Sequence, residues 1–183
     1  MKQCEYEVKM LLSRKQYEQT IQLLDKITYR ETFQTNYYYD TNDQMLRKQN
    51  TTMRIRRKEN RLKGTLKQHI EKDCCSIESN FQVSSVPETM LYNDEILRMM
   101  GKLYTVRREF LLSDSVRIFL DKNEYLNCVD YELEIECPKE ILDYAKGMVF
   151  IIREILRIST DIEKISKSER FFRRLNLINK AVM

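Results

Sequence analysis

The sequence predicts an α+β protein whose antiparallel sheet of about eight strands closes into a barrel or folds into a sandwich, with helices towards the ends. Three observations carry that expectation. Charged and apolar residues alternate with a period of two, most plainly in Glu5-Tyr6-Glu7-Val8-Lys9 and Asp130-Tyr131-Glu132-Leu133-Glu134-Ile135-Glu136. Such a period gives a strand one charged face and one apolar face. Helical spacing is confined to the stretches after Ser13, after Pro87 and from Pro138 onward. Only three Gly and two Pro occur in 183 residues, which excludes long linkers and leaves a chain able to bury a substantial core.

The first strand sets Glu5, Glu7 and Lys9 on one face and Tyr6 and Val8 on the other. Ser13 followed by Gln16 forms a capping box, and Tyr17, Ile21, Leu24 and Thr28 give the helix it opens one buried stripe. Strands are expected at Thr35–Thr41, Thr51–Lys58, Arg61–His69, Cys74–Gln82, Leu103–Leu112 and Ser115–Leu120. A short helical insertion at about 88–100 interrupts them, with Ile96, Leu97 and Met100 as its apolar side and Gly101 as its stop. Asp121-Lys122-Asn123-Glu124 supplies turn chemistry. Cys128–Cys137 is the last strand, and Pro138 suits the first turn of a helix reaching Ile158. A final amphipathic helix after Ser166 or Ser168 groups Phe171, Phe172, Leu175 and Ile178, so helices occupy about 138–180. No repeat or composition shift divides residues 1–183, which read as a single domain.

The net charge of +4, from 32 basic and 28 acidic residues, is too mild to demand a nucleic-acid partner, and none is expected. No apolar run reaches the roughly 20 residues that span a bilayer, and the amino terminus has no leader-like segment, so no membrane is expected. The five cysteines contain no CxxC pair. They read as free thiols rather than a disulfide framework or a structural zinc site, which points to the cytoplasm. Oligomeric state is left open by the sequence.

The charges segregate. Arg54, Arg56 and Lys58 share one strand face, Lys63, Thr65, Lys67 and His69 the next, and Thr105, Arg107 and Glu109 another, while Arg117 and Asp121 flank Phe119. Cations thus occupy the middle strands and carboxylates the first and last. Helices need the apolar faces, so a closed barrel turns the charged faces inward, where ions are costly unless wet and matched. A polyphosphate with a divalent metal satisfies both sets: Arg and Lys neutralise phosphate oxygens, and a cation relieves the carboxylates' repulsion. Mg²⁺ or Mn²⁺ suits an all-oxygen site with phosphate.

Glu5-Tyr6-Glu7-Val8-Lys9 resembles the Glu-x-Glu-x-Lys signature of the CYTH superfamily, the triphosphate tunnel metalloenzymes. The likeness continues in order through Tyr38-Tyr39-Asp40-Thr41, Leu46, Met53-Arg54-Ile55-Arg56, Leu62 to Lys67, Glu78, Thr105-x-Arg107, Leu120-Asp121, Asp130 to Glu136 and Ser166-Lys167-Ser168. The bacterial YjbK-like subgroup is the nearest in pattern; Gly64 departs from it, standing where a hydrophobic residue is usual. The resemblance implies an eight-stranded antiparallel barrel flanked by helices and enclosing a tunnel, and Mg²⁺- or Mn²⁺-dependent hydrolysis of a small triphosphate. Inorganic tripolyphosphate is the first choice. Nucleoside or thiamine triphosphate, cyclisation of ATP as in class IV adenylyl cyclases, and a catalytically silent polyphosphate binder are the alternatives.

Carried over residue by residue, Glu5, Glu7, Glu132 and Glu134 would bind metal. Lys9, Arg54, Arg56, Lys67, Arg107 and Lys167 would bind the triphosphate. Glu78 and Asp121 would act in catalysis by orienting a metal, a base or an arginine. Glu136 is in phase with the metal set but nearer its strand's end, and Arg117 has no assigned role. His69 is expected to be a solvated strand end, the Tyr37-Tyr38-Tyr39 run to pack in the core rather than stack on a nucleobase, and Arg108 and Lys122 to face solvent.

Overall fold

The computed structural model describes residues 2–71, 75–158 and 165–182; at 2–5, 71, 75 and 182 it describes the backbone alone. In chain order the elements are β1 (Lys2–Leu12), α1 (Arg14–Leu23), β2 (Tyr29–Asp40), α2 (Met45–Lys48), β3 (Thr51–Lys58), β4 (Arg61–Glu71), β5 (Cys75–Gln82), β6 (Thr89–Tyr92), β7 (Glu95–Ser113), β8 (Val116–Tyr125), β9 (Cys128–Cys137), α3 (Leu142–Leu156) and α4 (Lys167–Val182). Hydrogen-bonded neighbours run β2-β3-β4-β5-β1-β9-β8-β7, and β7 pairs back onto β2. Eight strands therefore close an antiparallel barrel, and β6 is added outside the ring on β7.

Alternation decides which way each strand faces. The apolar backs of β1, β8 and β9 meet α1 and α3 in one core that includes Val8, Met10, Ile118, Leu120, Leu133 and Ile135 against Tyr17, Ala145, Val149, Ile152 and Leu156. Their charged faces are left to the barrel interior. The capping box at α1 forms as its spacing implied, with Ser13 Oγ accepting from the Gln16 N–H at 3.3 Å and Gln16 Oε1 accepting from the Ser13 N–H at 2.8 Å.

The expected helix at 88–100 is a β-hairpin instead. Asn93 and Asp94 both adopt left-handed conformations (φ 48° and 64°), the geometry of a two-residue hairpin turn, and Leu91 pairs with Ile96 across it. That turn outranks the helical spacing of Ile96, Leu97 and Met100. Met90 and Leu97 of the hairpin cover the outer side of the ring, in a cluster with Tyr39, Leu46, Met53 and Ile55. Gly101 is no helix stop either. It has φ +145° where the β2–β7 register shifts at Tyr38/Tyr39, and a Cβ there would lie 2.8 Å from the Phe171 ring.

Gly64 has an equally local cause. It faces Phe81 across the β4–β5 pair, and a Cβ would meet that ring at 2.1 Å. Phe81 thus fills the volume that a hydrophobic residue at 64 would take. Gly64→Val is expected to destabilise the protein by about 1–3 kcal/mol through overpacking. Urea denaturation of the single variant and of Gly64→Val with Phe81→Ala checks this, the second change recovering part of the loss.

Helix α4 closes one end of the barrel. Phe171 and Phe172 are 0% and 3% exposed and pack with Tyr38, Leu103 and Tyr125. Asp40 positions the helix indirectly: its carboxylate accepts from the N–H groups of Leu46 and Arg47, holding α2 so that Arg47 grips Glu169 at 2.7 and 2.8 Å. Among the described residues no helix is long and apolar enough to cross a membrane.

Candidate active site

The inward faces of the ring enclose a cavity of about 260 Å³ lined by Glu7, Lys9, Arg54, Arg56, Lys67 and Glu78 on β1, β3, β4 and β5, with Arg107, Glu134 and Lys167 opposite. Asp121 on β8 and Glu132 on β9 are fully buried beside it. The structure therefore gathers every sequence-predicted site residue whose side chain is described. Glu5 belongs to the same strand, but its side chain lies outside the described residues.

Two walls differ in sign. On the acidic side, Glu134 takes Arg107 at 2.6 Å and Lys167 at 2.8 Å, with Lys9 at 3.8 Å. Asp121 receives the Arg107 guanidinium as a two-pronged pair at 2.8 and 2.7 Å. Lys167, the first residue of α4, points its ammonium among three carboxylates, at 3.0 Å from Asp121, 2.9 Å from Glu132 and 2.8 Å from Glu134. Burial alone would push these carboxyls up. Cations outweigh it, so Glu7 is held at about 2 by Lys9 and Lys67, and Glu134 well below the usual carboxylate range by Lys167, Arg107 and Lys9.

The basic side is less well matched. Arg54 reaches Glu78 at 3.3 Å, Lys67 lies 3.3 Å from Glu78 and 3.5 Å from Glu7, and Arg56 donates to the Asn36 side-chain oxygen at 2.9 Å. Burial, then the neighbouring Arg54 and Arg107, lower Arg56 to about 9. A guanidinium so far below its ordinary range sits in a place short of negative charge.

Four buried polar atoms among the described residues have no hydrogen-bond partner: Glu132 Oε1, Arg54 Nε, Tyr38 Oη and Ser76 Oγ. The orphaned carboxylate oxygen belongs to the acidic row, and hard oxygen donors of this kind fit Mg²⁺ or Mn²⁺. Among the described residues no three carboxylates are arranged to hold a metal as they stand, and the point that Asp121, Glu132 and Glu134 share is taken by the Lys167 ammonium.

Several participants escaped the sequence reading. Arg170, one helical turn beyond Lys167 and so on the same face of α4, pairs with Asp130 at 2.8 Å and Glu132 at 2.7 Å; that i, i+3 spacing was the available signal. Asn36 and Tyr38 face inward in phase with the rest of β2. His69 is no solvated strand end: its ring is half-buried in the cavity lining, and burial together with Lys67 and Lys9 lowers it to about 4, leaving a neutral imidazole. Arg117 is half exposed at the rim and lies 3.6 Å from Glu109. A second, wider cleft of about 970 Å³ meets the tunnel at Glu7, Lys9, Thr52 and His69, beside the start of α4.

A family model of the CYTH domain matches residues 3–171. YjbK of Bacillus subtilis strain 168, whose name carries a provisional triphosphatase assignment, is 30% identical over 148 residues, 72% of this chain and 76% of that protein. Among solved structures, a Bacillus halodurans protein provisionally assigned as an adenylate cyclase superposes with a TM-score of 0.74 at 26% identity, over 93% of this chain and 98% of that one. HpAC1 from Hippeastrum, described as having a dominant triphosphatase activity, gives a TM-score of 0.71 at 18% identity, over 94% and 96%.

Proposed function

Because the chain belongs to the CYTH domain family, we propose that it hydrolyses a triphosphate inside the barrel, with inorganic tripolyphosphate as the preferred substrate. The observation that carries this reading is the underneutralised pair Arg54 and Arg56, facing an acidic wall across a cavity of about 260 Å³. An anion with several phosphates relieves the first wall, and a slender one fits the volume.

In this reading Arg54, Arg56 and Lys67 hold the phosphate chain, while Lys9, Arg107 and Lys167 meet the end nearest the carboxylates. Asp121 keeps Arg107 aimed inward by its two-pronged contact, and Glu78 does the same for Arg54 and Lys67. These cations stabilise the charge that develops when water attacks the terminal phosphorus in line, the bridging P–O bond breaks and pyrophosphate leaves. Glu7, Glu132 and Glu134, with Glu5 on the same strand, would hold Mg²⁺ or Mn²⁺. A bound ion of that kind would neutralise phosphate oxygens and acidify the attacking water.

The test is product analysis with tripolyphosphate, ATP and thiamine triphosphate in Mg²⁺, Mn²⁺ or EDTA. Metal-dependent phosphate release that favours tripolyphosphate is expected, with Arg56→Met lowering kcat/KM roughly 100-fold. Cyclic AMP and pyrophosphate from ATP would make the protein a cyclase, the reading that the Bacillus halodurans likeness favours. Tight binding without turnover under every metal would leave a polyphosphate-binding module.

A further inference from the structure

The outer wall of the barrel over β2 and β7 carries a motif that the tunnel chemistry does not use. The pairs Phe33 with Val106, Thr35 with Tyr104, and Tyr37 with Lys102 all point outward, since the intervening Gln34–Thr105 and Asn36–Leu103 pairs are buried on the inner side. Phe33 is 67% exposed and Tyr104 45%. With the half-buried Tyr37 they form a diagonal row across two strands, a separation still within reach of aromatic side chains. Of the Tyr37-Tyr38-Tyr39 run, Tyr38 and Tyr39 are core residues at 1% exposure each, so Tyr37 alone joins this outer row.

Cations accompany the rings. The Arg57 guanidinium lies 5.7 Å from the Tyr37 ring centre, and the Lys102 ammonium 5.4 Å from that of Tyr104. The neighbouring charges are matched, Arg108 with Glu31 at 3.0 Å and Lys122 with Glu124 at 2.6 Å. Arg57 and Lys102 therefore give the row its net positive charge. Exposed rings in series on a sheet, beside cations that meet no carboxylate among the described residues, suit a strand whose bases are unstacked and whose backbone is anionic.

We propose that this face binds single-stranded nucleic acid, with bases on Phe33, Tyr104 and Tyr37 and phosphates against Arg57 and Lys102. A duplex is a poor fit, because its bases are already stacked and cannot lie on the rings. A second copy is disfavoured, because a twofold interface would set the same cations against each other. The total charge of +4 concealed the feature, since it averages this patch with the acidic segments.

The test is fluorescence anisotropy with a labelled uridine 15-mer, its cytidine counterpart and a duplex of equal length, over a salt series, with solution mass measured in parallel. Binding of single strands over duplex is expected. Phe33→Ala with Tyr104→Ala should weaken it about ten-fold or more. Arg57→Gln with Lys102→Gln should flatten the log–log salt slope by about 1.4, for two contacts of roughly 0.7 each. Tripolyphosphate hydrolysis should be unchanged in all these variants, which separates this site from the tunnel. Absence of binding at low salt, equal affinity for duplex, or affinity indifferent to the aromatic changes would overturn the proposal. So would a dimer that Phe33→Asp dissociates.

Discussion

Glu134→Gln is expected to reduce metal-dependent triphosphate turnover by more than roughly 100-fold, since even the outer partners of a metal ligand carry 10–100-fold effects. The side chain is the hub of the acidic wall, taking Arg107, Lys167 and Lys9 within 3.8 Å. Glutamine keeps the shape and one acceptor oxygen, but its amide turns two N–H donors towards cations that need an anion. Some stability is therefore lost as well, up to about 3–5 kcal/mol for breaking a buried ion pair. Circular dichroism and a denaturation curve establish that the variant is folded before its rate is read. Glu7→Gln should act similarly, because Glu7 holds Lys9 at 2.6 Å and Lys67 at 3.5 Å. Full activity in either folded variant would remove that residue from the proposed metal set.

Lys167→Met is expected to be the most destabilising single change in the tunnel, again by about 3–5 kcal/mol, because it leaves Asp121, Glu132 and Glu134 without their shared cation. Three carboxylates around the vacated position form a better divalent site than the native arrangement, so Mg²⁺ should raise the melting temperature of the variant more than that of the wild type. Mild acid should also help the variant, because only Arg107 and Arg170 then pair closely with three crowded carboxylates and one protonation relieves their repulsion. Melting curves with Mg²⁺, with EDTA and across pH 5–8 check both effects. An equal Mg²⁺ shift in the two proteins would show that these carboxylates do not act together on a cation. The point substitution is cleaner than deleting the chain after Ser166, since deletion also removes Phe171 and Phe172 from their core.

Most of the ring was legible in the sequence because period-two alternation survives wherever one face is buried and the other charged. The inward phase of Lys63, Thr65, Lys67 and His69 on β4, and of Thr105, Arg107 and Glu109 on β7, follows from that alone. The hairpin at 89–98 was not legible through periodicity, as both of its strands are short and partly apolar on both sides. Its signal was the Asn93-Asp94 dipeptide, a matter of turn chemistry. The strand ends were also blurred: β2 begins at Tyr29 and β7 at Glu95, well before their clearest alternation. In the site, single-strand reasoning could assign a face but not a partner. The Lys167 position among three carboxylates, the Arg170 clamp and the half-buried His69 ring all depend on contacts between distant elements.

The ring order also governs how the protein comes to exist at all. Strand β1 is bonded to β5 on one side and β9 on the other, so its carboxylates meet those of β9 across a sequence separation of more than a hundred residues. Pairings of that span are slow to form, since the chain loses loop-closure entropy before any contact rewards it. Neighbouring strands β8 and β9 bring Asp121, Glu132 and Glu134 together locally, but Glu7 joins them only when β1 docks on β9. The full proposed cation site should therefore return during refolding only when β1 pairs with β9, so that recovery of Mg²⁺ affinity would report that pairing separately from the recovery of secondary structure.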